Sequence, residues 1–404
     1  MTAKRRPQGI GIKTIGDLAD APPRFVLFAL GFRPMFLLAA TMAALWIPIW
    51  ILVLHGVIAV PARFGPMAWH AHEMVFGFAA AVITGFLFTA VRNWTSRPTP
   101  SGLALAGLAA LWIAGRAVML LSNVLPPALV GTVDAAFLPL VALSVAVPIA
   151  GARQWRNSGF PIILLALGMV NVLFHRFPDR AFGSAAPRVG VDVIVLLITA
   201  IGGRLIPNFT RGAVAGSEPK NTPALDWAVF VSVIAVAVGD LLPHSNQIYA
   251  AICFSGFVLN LARSLLWEPQ KTLHVPMIWI LHLGYAWVTA GLALKGLSAL
   301  GIVPASAATH AFTTGAMTTL ILGIMPRVTL AHTGRKVVAD RWIVLMFVAI
   351  TVSALLRVGV PILMPAGYMD GITWAAAFWS VAFVIFLADL GPKLVRPRVD
   401  GRPG

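Results

Sequence analysis

Residues 69–74 read Trp69-His70-Ala71-His72-Glu73-Met74, and an uncharged apolar run from Val75 to Val91 follows directly. With its flank that run is long enough to cross a bilayer core, for which about 20 residues suffice. The first six residues place two imidazoles, a carboxylate and a thioether at its mouth. Ionisable groups are costly beside hydrocarbon and therefore point to function. Imidazole together with thioether suits haem iron or copper. The plainer alternative is a polar helix end meeting lipid headgroups, but Glu73 is not an interface anchor of the Trp, Tyr, Lys or Arg kind.

The same pattern of apolar runs extends over the whole chain. Of its 404 residues 59% are hydrophobic and 11% charged, which excludes an ordinary soluble domain and describes a membrane-embedded helix bundle. Twelve runs are placed at 34–55, 72–91, 102–122, 128–150, 160–175, 189–206, 224–242, 247–266, 276–299, 309–327, 341–361 and 371–391. The fold expected is all-α, a polytopic bundle forming one integral membrane domain over 1–404, with tails at 1–24 and 392–404. Pro48, Pro139 and Pro148 fall inside spans, where kinks are tolerated. The single cysteine, Cys253, excludes a disulfide within the chain, and no Cys-x-x-Cys-His is present for covalent haem attachment.

The net charge of +16 does not signal nucleic acid, because the cations sit in short loops between apolar runs. They alternate from side to side. One side collects Lys4, Arg5, Arg6, Lys13 and Arg24, then Arg92 with Arg97, Arg153 with Arg156, Arg211 with Lys220, Lys271, Arg335 with Lys336, and the C-terminal Lys393, Arg396, Arg398 and Arg402. The other side has Arg63, Lys295 and one discordant group, Arg176, Arg180 and Arg188. The rich side is cytoplasmic by the positive-inside rule, so both termini are expected in the cytoplasm. Lys4, Arg5 and Arg6 are followed by no cleavable signal pattern, and the first span is expected to be retained.

An internal repeat emerges once the spans are set. An offset of 238 places His72 on His310, Gly77 on Gly315, Gly85 on Gly323, Thr95 on Thr333 and Arg97 on Arg335. Pro207-Asn208-Phe209-Thr210 ends the sixth span as Pro326-Arg327-Val328-Thr329 ends the tenth, and Asn93-Trp94-Thr95 ends the second. The spacing suggests a four-helix unit used three times, a device common in membrane folds. Shared low complexity of apolar helices is the alternative.

Several longer motifs make the chain resemble a known family. They are Gly31-Phe32-Arg33-Pro34, Trp69 to Met74, Gly85-Phe86-Leu87 with Asn93-Trp94-Thr95, Leu111-Trp112-Ile113-Ala114-Gly115-Arg116, Gly202-Gly203-Arg204-Leu205-Ile206-Pro207 with Phe209-Thr210-Arg211, His310 to Gly315, and Arg327 to Arg335. These segments are similar to those of the NnrS family, polytopic inner-membrane proteins of denitrifying and related bacteria. The resemblance implies a haem- and copper-containing protein linked to nitric oxide and nitrosative stress, without naming a reaction or an electron donor. Arg92 and Ala331 depart from the Pro and Gly expected there.

Depth sorts the nine histidines. His70 and His72 open the second span and His310 the tenth, on the outer side, where His175 ends the fifth and His55 the first. His282 lies in the other half of the ninth span. His244, His274 and His332 read as loop or interface residues. The metal-ligand candidates are thus His70, His72, His175, His282 and His310. His70 and His72 stand about 200° apart around a helix and cannot share one metal. The offset of 238 pairs His72 with His310 as axial ligands of a non-covalent haem b, leaving His70, with Glu73 and Met74, to a separate copper site. Arg116 and Arg357 lie at the right depth to pair haem propionates. Pairing of either arginine with Asp134, Asp192 or Asp370 is the alternative. Met169, Met317 and Met325 read as packing. Three functions stay open: nitric oxide handling by haem and copper, transport of copper or a small metal complex, and a haem-based sensor or assembly factor without turnover.

Overall fold

The computed structural model describes residues 26–60, 63–178, 181–243 and 245–402; the tail 1–24, Arg180 and His244 lie outside them. Among these residues the chain is helical throughout, without strands. The spans are α1 (Phe32–Leu54), α2 (Pro66–Thr95), α3 (Gly102–Leu120), α4 (Pro127–Gly151), α5 (Trp155–Arg176) and α6 (Ala181–Ala213). They continue with α7 (Pro223–Gly239), α8 (Asn246–Leu265), α9 (Pro276–Ala299), α10 (Ala305–His332), α11 (Arg341–Leu363) and α12 (Tyr368–Asp389). A short α13 (Gly391–Val395) follows. Eleven of these helices are long and apolar enough to cross a membrane, while α7 is apolar but only 17 residues long. The chain is a multi-pass membrane protein, and each of the twelve runs read from the sequence is a helix.

Local chemistry sets the helix starts. Pro66, Pro127, Pro223 and Pro276 each stand at the head of a helix, where a missing N–H costs nothing and the fixed φ favours the first turn. The Asp340 carboxylate accepts from the Trp342 and Ile343 amides, both at 3.0 Å, to cap α11. Pro139 has no N–H to donate to the Ala135 carbonyl, and α4 breaks at Ala136, one turn before it and just after Asp134.

Neighbouring helices pack antiparallel along the chain, and α12 returns to lie against α1 and close the ring. Three helices fill the middle: α2, α6 and α10 all touch one another. The most apolar stretch of α2 is 83% buried and that of α10 is 72% buried, against 33% for α1, α3 and α8. Both of these inner helices contain a widened π segment near the start, Glu73–Ala79 in α2 and Ala311–Thr318 in α10. Each begins directly after a histidine, His72 or His310, and each contains a glycine, Gly77 or Gly315. A Cβ on Gly77 would meet Met42 Cε at 2.7 Å, and one on Gly315 would meet Trp287 Cδ2 at 2.6 Å. The Trp112 indole donates to the Gly77 carbonyl at 3.0 Å, satisfying backbone that the widened turn leaves open. At the opposite end, Arg33 at the head of α1 donates to the carbonyls of Leu394 and Arg396, which ties the C-terminal segment across the bundle.

Candidate functional site

The π segments mark one end of the bundle, and two sites lie there. The first is a cavity of about 210 Å³ walled by α1, α2, α6, α10, α11 and α12. Its polar wall is made by His70, His310, Arg188 and Arg357 with the hydroxyls of Thr309, Thr313, Thr314 and Ser353, and Met74, Met317, Trp50, Trp379 and aliphatic side chains complete it. Among the described residues no carboxylate lines it. His70 stacks on Trp50, with ring centroids 4.4 Å apart and planes 6° from parallel. His310 Nδ1 lies 2.7 Å from the Ser306 carbonyl. That oxygen only accepts, so the proton is on Nδ1 and the Nε2 lone pair is available to an electrophile. The Arg357 guanidinium stands over the Tyr368 ring, and its Nη1 is buried with no hydrogen-bond partner.

The second site is closed. His72, Glu73 and Asp134 are all buried, and His175 and Asn171 complete the group from α5. His72 Nδ1 is 3.2 Å from Glu73 Oε1, and its Nε2 is 3.0 Å from Asp134 Oδ2. His175 Nε2 lies 2.9 Å from the same Asp134 oxygen, and the Asn171 amide donates to it at 2.8 Å. Arg116 donates to Glu73 Oε1 at 3.1 Å and to Asp134 Oδ1. The Trp46 indole donates to Glu73 Oε2 at 3.1 Å. Two carboxylates thus face one guanidinium, and a further positive charge is needed for balance. A proton on a histidine or a metal cation supplies it.

The donor set suits a metal. One ligand atom each from His72, Asp134 and His175 lie within 4.8 Å of one another, and metal–ligand bonds of about 2.0–2.2 Å place donors at such separations. Glu73 behind His72 and Arg116 behind Asp134 give the outer-shell partners that orient ligating imidazoles and carboxylates.

The histidines two residues apart therefore do serve different surroundings, with their partners exchanged relative to the sequence reading. His70, not His72, shares the cavity with His310; both nitrogens of His72 are engaged in the closed cluster. The His72–His310 clamp is corrected accordingly: the two take equivalent places in their helices, but the helices are turned toward different neighbours. Arg116 is likewise taken up by Glu73 and Asp134 and is absent from the cavity wall, whereas Arg357 reaches it. His282 belongs to neither site; its Nε2 is 2.9 Å from the Thr210 hydroxyl. His55 meets Thr373 at 3.0 Å, and His274 is exposed.

Trp50, Arg188 and Asn171 were not singled out from the sequence. Arg188 was legible as a cation breaking the charge alternation. Asn171, a polar residue inside an apolar run, was a signal that passed unread.

A comparison with curated proteins finds no match. The family model described as NnrS protein matches residues 26–398, nearly the whole chain, and the chain therefore belongs to the NnrS family.

Proposed function

We propose that this chain is a haem- and copper-binding protein of the bacterial inner membrane, with both termini in the cytoplasm, that acts on nitric oxide or on nitrosative damage. The observation that carries the reading is the cavity bordered by two imidazoles and two arginines with no carboxylate among the described residues. The side chains of that wall are those a haem b would need, and the cavity of about 210 Å³ would have to widen to admit the whole macrocycle. His310 offers a lone pair on Nε2 and His70 faces the same space, so these are the residues assigned to the iron. Arg357, with a buried unpartnered Nη1, and Arg188 are assigned to the propionates. When bound, the haem would supply redox-active iron that can take a neutral diatomic where one imidazole holds it and the other leaves; the chain would contribute imidazole from His310 and His70, charge for the propionates from Arg357 and Arg188, and apolar walls that keep water away.

Copper is assigned to His72, His175 and Asp134. Imidazole and carboxylate suit copper among other first-row metals, and copper is the metal the family implies. Arg116 and Glu73 position that set and balance its charge. His282, remote from both groups, takes a structural role in this reading.

The test is a pyridine haemochrome assay with metal analysis on protein purified from membranes. His310→Ala and His70→Ala are expected to lose haem or change its spin state, since alanine offers iron no lone pair. His72→Ala and His175→Ala are expected to keep haem and lose copper. A colourless wild-type protein overturns the haem assignment and returns the chain to the transporter reading. Consumption of nitric oxide by the coloured protein with an added reductant separates an enzyme from a sensor or assembly factor.

A further inference from the structure

Past the His70–His310 cavity, toward the middle of the bundle, the three inner helices and Leu281 of α9 border a second cavity of about 110 Å³ that is open on one side. The helices pass from one cavity to the next within about a turn. Val75 lines the first and Ala79 the second on α2; Val191 and Ile194 do so on α6; on α10 Met317 lines both. Sixteen residues, from Ala79 to Ile324, line the inner cavity, and none has a polar side chain. The surrounding backbone is helical. Water finds no partner in such a space, and dry apolar cavities of this kind take up small apolar molecules instead. A charged or strongly hydrogen-bonding ligand would lose its solvation without replacement. None of the lining residues is exposed, but Ile83, Phe86, Ile198, Ile201 and Leu320 are only half-buried, so the outer wall lies near the lipid-facing surface.

We propose that this chamber is a binding site for a neutral apolar molecule of diatomic size entering from the bilayer, and that Met317 is the gate between it and the His70–His310 cavity. The unbroken apolar wall selects a neutral apolar occupant, and the volume admits one of diatomic size with room to spare. Met317 is buried and unbranched, with a flexible thioether able to change rotamer without polar cost. The chamber's occupancy rests on its own geometry; its use as an approach route rests on the reading of the larger cavity as the reactive site.

The experiment uses xenon as the probe. The structure of the full-length protein, prepared in lipid and pressurised with xenon, is expected to show the gas between Val82, Leu197 and Ile321. Ile201→Phe, or Ile324→Phe from the facing helix, fills the space and should abolish that site, while Ile201→Ala should retain it. Met317→Ala should join the two cavities and add xenon beside His310. An ordered acyl chain or water in the wild-type chamber, or xenon persisting in both phenylalanine variants, overturns the site. Xenon confined to the inner chamber in Met317→Ala overturns the gate. These readouts do not depend on haem, so a protein that binds xenon as expected but carries no haem refutes the proposed cofactor and leaves the chamber standing.

Discussion

Replacing Arg116 tests the electrostatic account of the closed cluster most directly. Its guanidinium is 7% exposed and spans two carboxylates that are wholly buried, at 3.1 Å from Glu73 and in hydrogen-bonded contact with Asp134. Arg116→Met keeps much of the apolar stem beside Trp112 but leaves both carboxylates without their shared cation. Removing one partner of a buried ion pair costs about 3–5 kcal/mol, because the remaining charge has neither water nor counter-charge. The expected loss is therefore at the upper part of that range. Arg116→Met combined with Glu73→Gln removes the surplus negative charge while keeping an acceptor for the Trp46 indole. Neighbours sharing one network couple by about 0.5–3 kcal/mol, so the double variant should be more stable than the single one. The assay is reversible unfolding in mixed micelles titrated with denaturing detergent. A single variant within about 0.5 kcal/mol of wild type, the level of an ordinary surface change, or a double variant less stable than the single, would refute the reasoning.

Other consequences are open to the same kind of check. Gly77→Val pushes a side chain into the Arg116 guanidinium and into Met42 Cε, the latter 2.7 Å from the ideal Cβ position, and should cost at least the roughly 1–3 kcal/mol of overpacking, read by the same unfolding titration. Lys295→Met leaves Asp192 and Asp240 facing each other without the ammonium that now bridges them; a loss of about 3 kcal/mol is expected, at the low end for a buried pair because Asp240 keeps some exposure. In the loop after α8, Glu268 accepts from the Lys271 ammonium, the Glu218 amide and the Ser217 hydroxyl, which hold its carboxyl down at about 2. Its folded value lies below the unfolded one of about 4.3, so the clasp is complete above that pH and is lost as pH falls through about 2. Hydrogen exchange at Glu218, compared with Glu268→Gln, should show that pH dependence in wild type alone.

The spans were legible because hydropathy over about 20 residues is a property of the segment itself. Their ends were less so: α2 begins at Pro66 rather than 72, since proline at the first helical position extends the helix into polar sequence. That His70 and His72 serve different surroundings follows from helix geometry alone, and the structure places them apart. Which surroundings each meets does not follow, because a helical wheel fixes directions within one helix but not the neighbours around it. Asp134 shows the same limit. Its burial, its position beside the α4 break and its two histidine neighbours come from α4 packing on α2 and α5, so the sequence offered it only as one possible partner for an arginine. The π segments were invisible in composition, although Gly77 and Gly315, matched by the 238 offset, stand in them.

The two sites are better understood with a third polar cluster at the same end of the bundle. The closed site takes its residues from four successive helices: His72 and Glu73 on α2, Arg116 on α3, Asp134 on α4 and His175 on α5. Moving four helices along the chain, Asp192 on α6, Asp240 just after α7, Tyr249 on α8 and Lys295 on α9 form a linked group. Four further, the cavity is walled by His310 on α10, Arg357 on α11, Ile372 on α12 and, past the ring closure, Trp50 on α1. Each group starts from an inner helix, at His72, Asp192 and His310; the offset that carries Pro207 to Pro326 and Thr210 to Thr329 is 119, half of 238, and it carries His72 to Val191, the neighbour of Asp192, and Val191 to His310. We read these three groups as the arrangement that a four-helix unit used three times would produce, with one polar group beside each of α2, α6 and α10. Equivalent residues of a rotational repeat would face equivalent bays, not one another, and the structure does place His72 in the closed cluster and His310 in the cavity wall. His70 reaches the third bay only because α2 borders it from behind. The three bays then differ in what fills them. In the second, Lys295 bridges two carboxylates. The first is held by Arg116 across two more, with two histidines left to balance its charge. In the third, among the described residues, Arg188 and Arg357 face the cavity with no carboxylate beside them, which is the charge pattern behind the proposal of an anionic cofactor there.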